Sequence, residues 1–260
     1  MKEYICGRDC TLTILQDNTY TAVPFSSETL RVVPLRFTDN DTLLKTQQKV
    51  HTYGYEISGC FVSLLTYEET IPLLKLIAER KTFDILIKRG SSKLIYKNVK
   101  VKAFELRGRI DDSVYLKIDV QSTNESYIDT WNIQTFDIPW IQKIVMRLRH
   151  ENWHSDNVDL SGVYAFSFTG DYSGNYFYTL TLHSPLFSHK PIINDSLEPI
   201  SHACLEIEKI LAIDFNELIP MNTMFDTRVA DELLVVPSFI VKNAIVFTFQ
   251  TERDFYQVAL

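Results

Sequence analysis

Apolar and polar residues alternate with a period of two along much of the chain, which is the pattern of strands that bury one face. The clearest run is 114–120, in which every second residue is aliphatic. The same pattern predicts further strands at 6–15, 30–37, 50–61, 83–87, 94–110, 163–168, 176–182, 233–240 and 244–249. Turn residues at 89–92 and 170–175 predict two β-hairpins.

The apolar spacing changes to that of a helix once in the first half. Thr66 and Glu69 have the spacing of a capping box, and an apolar stripe that includes Leu73, Leu74 and Ile77 follows. The sequence therefore predicts one helix over 66–81.

Two more helices are predicted in the second half. Pro139 precedes an apolar run at helical spacing, which predicts a helix over 139–154. Ser196 as a cap with Pro199 in the first turn predicts another helix over about 196–213.

These elements predict a mainly β (α+β) protein. The chain has 260 residues, which allows two domains. We expect a β-rich domain with one helix over residues 1–135, and a second β-rich domain with two helices over 136–260. The polar stretch 121–135 is the expected connection.

The net charge of −7 is unevenly distributed. Residues 1–135 carry 18 Lys and Arg against 17 Asp and Glu, whereas residues 136–260 carry 8 against 16. A domain that binds nucleic acid generally is strongly basic, so this composition excludes that class for both halves.

Neither targeting nor cofactor motifs are found. No apolar run has the length of a signal-peptide core or a membrane span, so the chain is expected to be soluble and intracellular with no membrane partner. Cys6, Cys10, Cys60 and Cys204 match no zinc framework and are expected to be reduced structural thiols. Without a Walker loop, a G-x-G-x-x-G or a G-x-S-x-G motif, no cofactor is expected.

One short motif could carry catalysis. His150, Glu151 and His154 form an H-E-x-x-H sequence. On a helix the two imidazoles would share one face and could bind zinc, while Glu151 could act as the base toward a metal-bound water. Arg147 and Arg149 place positive charge beside such a site, and no third ligand is singled out. The alternative is a surface helix end.

The first half also has a characteristic order of motifs. Gly7-Arg8-Asp9 leads into the first strand, and Thr38-Asp39-Asn40-Asp41 closes a strand before a long loop. A strand at 50–61, a single helix, a hairpin and a closing strand follow, up to about residue 122. In this order the chain resembles the tail tube proteins of tailed bacteriophages and of related injection systems.

The resemblance implies a non-enzymatic structural protein of the virion tail, made in the host cytoplasm. Family members form a β-sandwich, and six copies join their inner sheets into a barrel-like ring. Rings stack into a tube through which DNA passes without specific binding, and further partners are the tape measure, hub or terminator proteins. The implied inter-ring loop comprises Thr38, Asp39, Asn40, Asp41, Thr42, Leu43, Leu44, Lys45 and Thr46.

The resemblance leaves residues 136–260 open. They could form a second tube-like domain, as in hub proteins, or a decoration domain. Two other functions stay as alternatives, namely a zinc metallopeptidase that uses the H-E-x-x-H motif and a β-rich binding module without an assembly role.

Overall fold

The computed structural model describes residues 10–39, 49–65, 70–122, 124–127, 141–149, 158–173, 177–185, 199–207, 210–226, 234–250 and 255–259. Within these ranges the protein is mainly β, with seventeen strands and one helix. The mainly β prediction is therefore confirmed.

The first half contains nine of these strands and the helix. They are β1 (Cys10–Gln16), β2 (Thr19–Val23), β3 (Phe25–Glu28), β4 (Arg31–Asp39), β5 (Lys49–Leu64), α1 (Thr70–Glu79), β6 (Phe83–Arg89), β7 (Ser92–Arg109), β8 (Tyr115–Ser122) and β9 (Asn124–Tyr127).

The second half contributes eight strands. They are β10 (Ile144–Arg149), β11 (Val158–Val163), β12 (Ala165–Asp171), β13 (Phe177–Pro185), β14 (His202–Ile207), β15 (Leu211–Asp226), β16 (Leu234–Gln250) and β17 (Phe255–Ala259).

The helix α1 is buried on most of its surface. Leu73, Leu74, Leu76 and Ile77 are almost fully buried, and Lys75 is exposed. The backbone of α1 lies beside that of β17, so the helix of the first half reaches the last strand of the second half. The predicted helix over 66–81 is confirmed for 70–79.

The two helices predicted for the second half are wrong in the described residues. Residues 144–149 form β10, and residues 202–207 form β14. In β10 the pattern of burial has a period of two, because Ile144 and Met146 face the core while Val145 lies on the other face. Pairing of β10 with β14 satisfies the backbone groups that a helix would have satisfied internally.

Each half is built around one long, bent strand. In the first half, β7 pairs with β6 and β9 near its start and with β8 near its end. In the second half, β15 pairs with β14 near its start and with β16 along its length. A bulge lies between Val101 and Ala103 in β7 and between Pro220 and Asn222 in β15.

The second half repeats the topology of the first. The order β4–β5–β8–β7 recurs as β12–β13–β16–β15, and the order β2–β1–β6 recurs as β11–β10–β14. The buried Ser63 of β5 and the buried Ser184 of β13 occupy equivalent positions in their ladders. Residues at equivalent positions of the two repeats lie 119 positions apart in these strands. Examples are Leu94 and Ile213, Tyr96 and Phe215, Val99 and Leu218, Lys102 and Met221, and Val120 and Phe239.

The two repeats are joined head to tail by an antiparallel ladder. In the sheet, β7 is the end strand of the order β4–β5–β8–β7, and β12 is the end strand of the order β12–β13–β16–β15. Residues 103–109 of β7 pair with residues 165–171 of β12. The result is one continuous sheet in the order β4–β5–β8–β7–β12–β13–β16–β15. The predicted boundary at 135/136 lies outside the described residues and stays a prediction.

Aromatic rings connect the two repeats beneath this ladder. The ring centroid of Phe104 in β7 lies 5.6 Å from that of Phe168 in β12, and Phe168 lies 5.6 Å from Phe215 and 6.0 Å from Phe247. Such pairs stabilise by about 0.5–1.5 kcal/mol each beyond the burial of their area. The buried apolar residues of both repeats therefore form one cluster.

Gly170 tests how tightly the joint is packed. A Cβ at this position would overlap the ring of Phe104 and lie 2.9 Å from Cδ1 of Tyr178. We expect Gly170→Ala to lower the free energy of unfolding by about 1–3 kcal/mol, the usual cost of overpacking, as measured by urea denaturation. Gly54→Ala is the control, because its nearest side-chain neighbour is 3.7 Å away. Equal stability of the two variants would contradict the packing described for the joint.

Candidate functional site

One face of the continuous sheet carries no buried core residue among the described side chains of its central strands. Tyr115, Arg107, Ser167 and Thr181 lie side by side across β8, β7, β12 and β13, and Ser238 of β16 extends the row. A second row of Lys117, Glu105, Thr169, Thr179 and Ile240 runs beside the first. We call this surface the open face.

Side chains on the open face bind one another across the strands. The Ser167 hydroxyl donates a hydrogen bond to the Glu105 carboxylate at 3.1 Å, across the joint between the repeats. The hydroxyls of Thr169 and Thr179 lie 2.6 Å apart, and those of Thr181 and Ser238 lie 3.2 Å apart. These contacts align the polar groups in fixed rows across both repeats.

Charges of both signs are interspersed on the open face. Lys117 Nζ lies 3.4 Å from the Asp119 carboxylate on the same strand. The guanidinium carbon of Arg107 lies 5.6 Å from the ring centroid of Tyr115. Because Lys117 is paired with a carboxylate and Glu105 adds a negative charge to the same rows, these residues do not form the continuous basic patch that holds nucleic-acid phosphates.

The ends of the continuous sheet are two strand edges. Residues 27–35 of β3 and β4 follow β5 in one register, and no other described strand pairs with their outer edge. At the other end, residues 219–226 of β15 pair with β16 alone among the described strands. When the two repeats are compared, the outer edge of β3–β4 is equivalent to the edge of β12 that pairs with β7. The outer edge of β15 is equivalent to the edge of β7 that pairs with β12.

A groove of about 590 Å³ lies beside the first of these edges. It is lined by Thr29, Leu30, Arg31, Val33, Ser58 and Gly59. Its lining residues Thr29, Leu30, Arg31 and Val33 are equivalent to residues 167–169 and 171 of β12, which pair with β7.

Most of the inter-ring loop implied by the resemblance lies outside the described residues. Thr38 and Asp39 form the end of β4, where they pair with Val50 and Lys49. Residues 40–46 are not described. The inter-ring role stays a prediction.

The H-E-x-x-H motif also lies outside the described residues. His150, Glu151 and His154 follow directly after Arg149, the last residue of β10. The helix predicted over 139–154 is a strand over 144–149, whereas the zinc site at the motif itself stays a prediction. Among the residues that the structure describes, no group of three His, Cys, Asp or Glu side chains could hold a metal ion.

None of the described cysteines Cys10, Cys60 and Cys204 forms a disulfide. Cys204 on β14 lies between Arg147 and Asp214 on the neighbouring strands. Burial, together with the negative charge and the hydrogen bond of Asp214, raises the pKa of the Cys204 thiol to about 12. A thiol that stays protonated at neutral pH is a poor nucleophile.

The joint, the open face and the two edges could not be located from the sequence. Alternation correctly predicted the strands that carry Ser167 and Thr181, but it does not give their partners. Recognition of the repeat in the sequence would have helped, because each strand of the joint is equivalent to a strand at one of the two edges.

Cys204 supplies a prediction about pH. We expect Cys204 to react slowly with iodoacetamide at pH 8 in the folded protein, and Asp214→Asn to speed the reaction because it removes a group that raises the pKa. Modification is measured by mass spectrometry, with Asp171→Asn as the control. Because the folded pKa lies above the ordinary value of about 8.5, the stability that Cys204 contributes is complete below that pH and is lost as the pH rises toward 12. Rapid modification of the unsubstituted protein would contradict this assignment.

The described part of the chain contains no helix with the length and apolarity needed to cross a membrane. No protein-family model matches the chain, and no curated protein matches its sequence.

Proposed function

We propose that the protein is a structural component of a bacteriophage tail, of the tail tube type, that forms stacked rings around a channel for DNA. The observation that carries the proposal is the head-to-tail joint between its two repeats. This joint is a contact between non-equivalent edges, and repetition of such a contact generates rings or filaments.

The joint predicts how one chain meets the next. The β15 edge is equivalent to the β7 edge, and the β3–β4 edge is equivalent to the β12 edge. Pairing of β15 with β3–β4 of a second copy would therefore repeat the internal ladder in antiparallel orientation. Ala103 and Asp171 are opposite each other in the internal ladder, which predicts that Asn222 lies opposite Val33 of the next chain.

Two repeats in each chain change the expected number of chains. The resemblance implies six copies of a simple tube domain in a ring. Because each chain supplies two repeats, a ring of six repeats would contain three chains, and we propose this composition in place of six chains.

The open face is suited to line the channel. Passage of DNA requires that the wall does not hold phosphates, and a wall with paired charges and hydroxyls meets this requirement. On the open face, Glu105, Lys117 and Asp119 are already engaged with neighbouring side chains. The sequence supports the same conclusion, because neither half is basic enough to bind nucleic acid generally.

Stacking and outside partners remain part of the same proposal. We assign contact with the next ring to the loop Thr38–Thr46, and contact with tape measure, hub or terminator proteins to the ends of the tube. The virion tail is the proposed location.

Thr223 tests the proposed edge. By the repeat, Thr223 is equivalent to Phe104 and directs its main-chain groups away from β16. We expect Thr223→Pro to prevent ring formation in electron micrographs of concentrated protein, because proline removes a donor at this edge without removing one that bonds to β16.

Thr223→Val is the matched control, because it keeps the main-chain donor and is expected to form rings. Rings formed equally well by Thr223→Pro would contradict the edge assignment. A strict monomer at every concentration of the unsubstituted protein would contradict the proposed function.

A further inference from the structure

The β3–β4 edge carries an ion pair that occupies its main chain. Arg89 on β6 donates two hydrogen bonds to Glu28, from Nε to Oε1 at 2.8 Å and from Nη2 to Oε2 at 2.7 Å. Both side chains are largely buried, with exposed fractions of 29% for Arg89 and 16% for Glu28. A two-pronged pair of this kind is fixed in direction and is stronger than a single exposed contact.

The same two side chains bind both main-chain groups of Leu30. The Leu30 N–H donates to Glu28 Oε2 at 2.9 Å, and Arg89 Nη2 donates to the Leu30 carbonyl at 2.9 Å. The neighbouring Thr29 N–H donates toward β5, to the Cys60 carbonyl. Leu30 lies between β3 and β4, and its main-chain groups are bound by these side chains and not by β5, so they point to the outer edge.

The equivalent position in the second repeat is paired with another strand. Leu30 is equivalent to Phe168, which lies opposite Leu106 in the ladder between β12 and β7. Tyr172, on the same side of the chain as Phe168, donates its N–H to the Lys102 carbonyl at 2.7 Å. A strand that joined the β3–β4 edge would therefore need the groups of Leu30 that Glu28 and Arg89 occupy.

The ion pair itself has an apolar counterpart at the joined edge. Glu28 is equivalent to Phe166, and Arg89 is equivalent to Ile207. Phe166 and Ile207 are exposed by only 2% and 1%. The repeat whose edge is covered thus has buried apolar residues where the repeat with the uncovered edge has a charged pair.

We propose that the Glu28–Arg89 pair is a guard on the β3–β4 edge, which keeps a second copy of the chain from adding its β15 edge until the pair is displaced. This inference rests on the proposed function, because it assigns regulation to the same head-to-tail contact. Uncovered strand edges invite uncontrolled pairing, and charged side chains that bind the edge are a known means of preventing it.

The rest of the edge leaves a short stretch for the incoming strand. Val32 also directs its main-chain groups outward, and its side chain is 43% exposed. Pro34 has no N–H and ends the stretch that can donate. Opening of the guard would therefore make Leu30 and Val32 the first groups to pair with a second copy.

Removal of both guard residues tests the proposal. The guard variant carries Glu28→Ala together with Arg89→Ala. We expect it to assemble at a protein concentration at least about tenfold lower than the unsubstituted chain requires, as measured by sedimentation velocity over a concentration series. The double substitution avoids leaving an unpaired charge. Lys81→Ala with Glu79→Ala is the matched control, since it removes an exposed ion pair at the end of α1 and is expected to change nothing.

Two further variants keep the test decisive. Glu28→Gln breaks the charge pair and keeps an acceptor for the Leu30 N–H, so it is expected to assemble at a concentration between those of the unsubstituted chain and the guard variant. This variant serves as the test if the guard variant does not fold. Adding Val32→Pro to the guard variant removes an outward donor and is expected to cancel the gain.

The outcomes separate the guard from the proposed function. If the unsubstituted protein, the Glu28→Gln variant and the guard variant all assemble at the same concentration, the guard is wrong and the proposed function stands. If Val32→Pro leaves the gain unchanged, assembly uses another edge and the inference is wrong. If none of the variants assembles at any concentration, the guard and the proposed function both fail.

Discussion

The structure depends above all on the main-chain ladder between β7 and β12. An unpaired N–H or C=O group buried away from water costs about as much as a lost hydrogen bond, so the inner edges of both repeats need a partner. Pairing 103–109 with 165–171 provides that partner for both edges at once. The packing of Phe104 against Phe168, and the hydrogen bond from Ser167 to Glu105 on the open face, follow from this single register.

Duplication explains why the two ends of the sheet resemble the two sides of the joint. The joint inside the chain is covered by apolar residues such as Phe166, as suits a contact that never opens. At the β3–β4 end, Glu28 and Arg89 occupy the equivalent positions. This difference fits the proposal that the contact inside the chain is permanent and the contact between chains is reversible.

The sequence predicted the local structure better than the arrangement of the repeats. Strand β8 and helix α1 were predictable because one pattern of burial runs through each without interruption. In β10, the residues Ile144, Val145 and Leu148 have the spacing of a helix face, but burial of Ile144 and Met146 follows the period of a strand. The 233–249 stretch was predicted as two strands around Lys242 and Asn243, but it forms the single strand β16.

The repeat was hidden because equivalent residues share their environment more than their identity. Tyr96 and Phe215 are both buried, but Lys102 and Met221 share only a bulge. The guard was equally out of reach, because Glu28 and Arg89 lie far apart in the chain and meet only after β6 and β3 are placed. Long-range pairing of this kind has no signal in local periodicity.

We propose that one chain joins the next through a copy of its internal joint. The most direct measurement is disulfide cross-linking between Val33→Cys and Asn222→Cys in protein whose native cysteines are replaced by serine. These positions are expected to form a pair without mutual hydrogen bonds, about 4.5 Å apart between Cα atoms, which is within the range for a disulfide. We expect covalently linked rings of chains, whereas rings that form without this cross-link would contradict the proposed joint between chains.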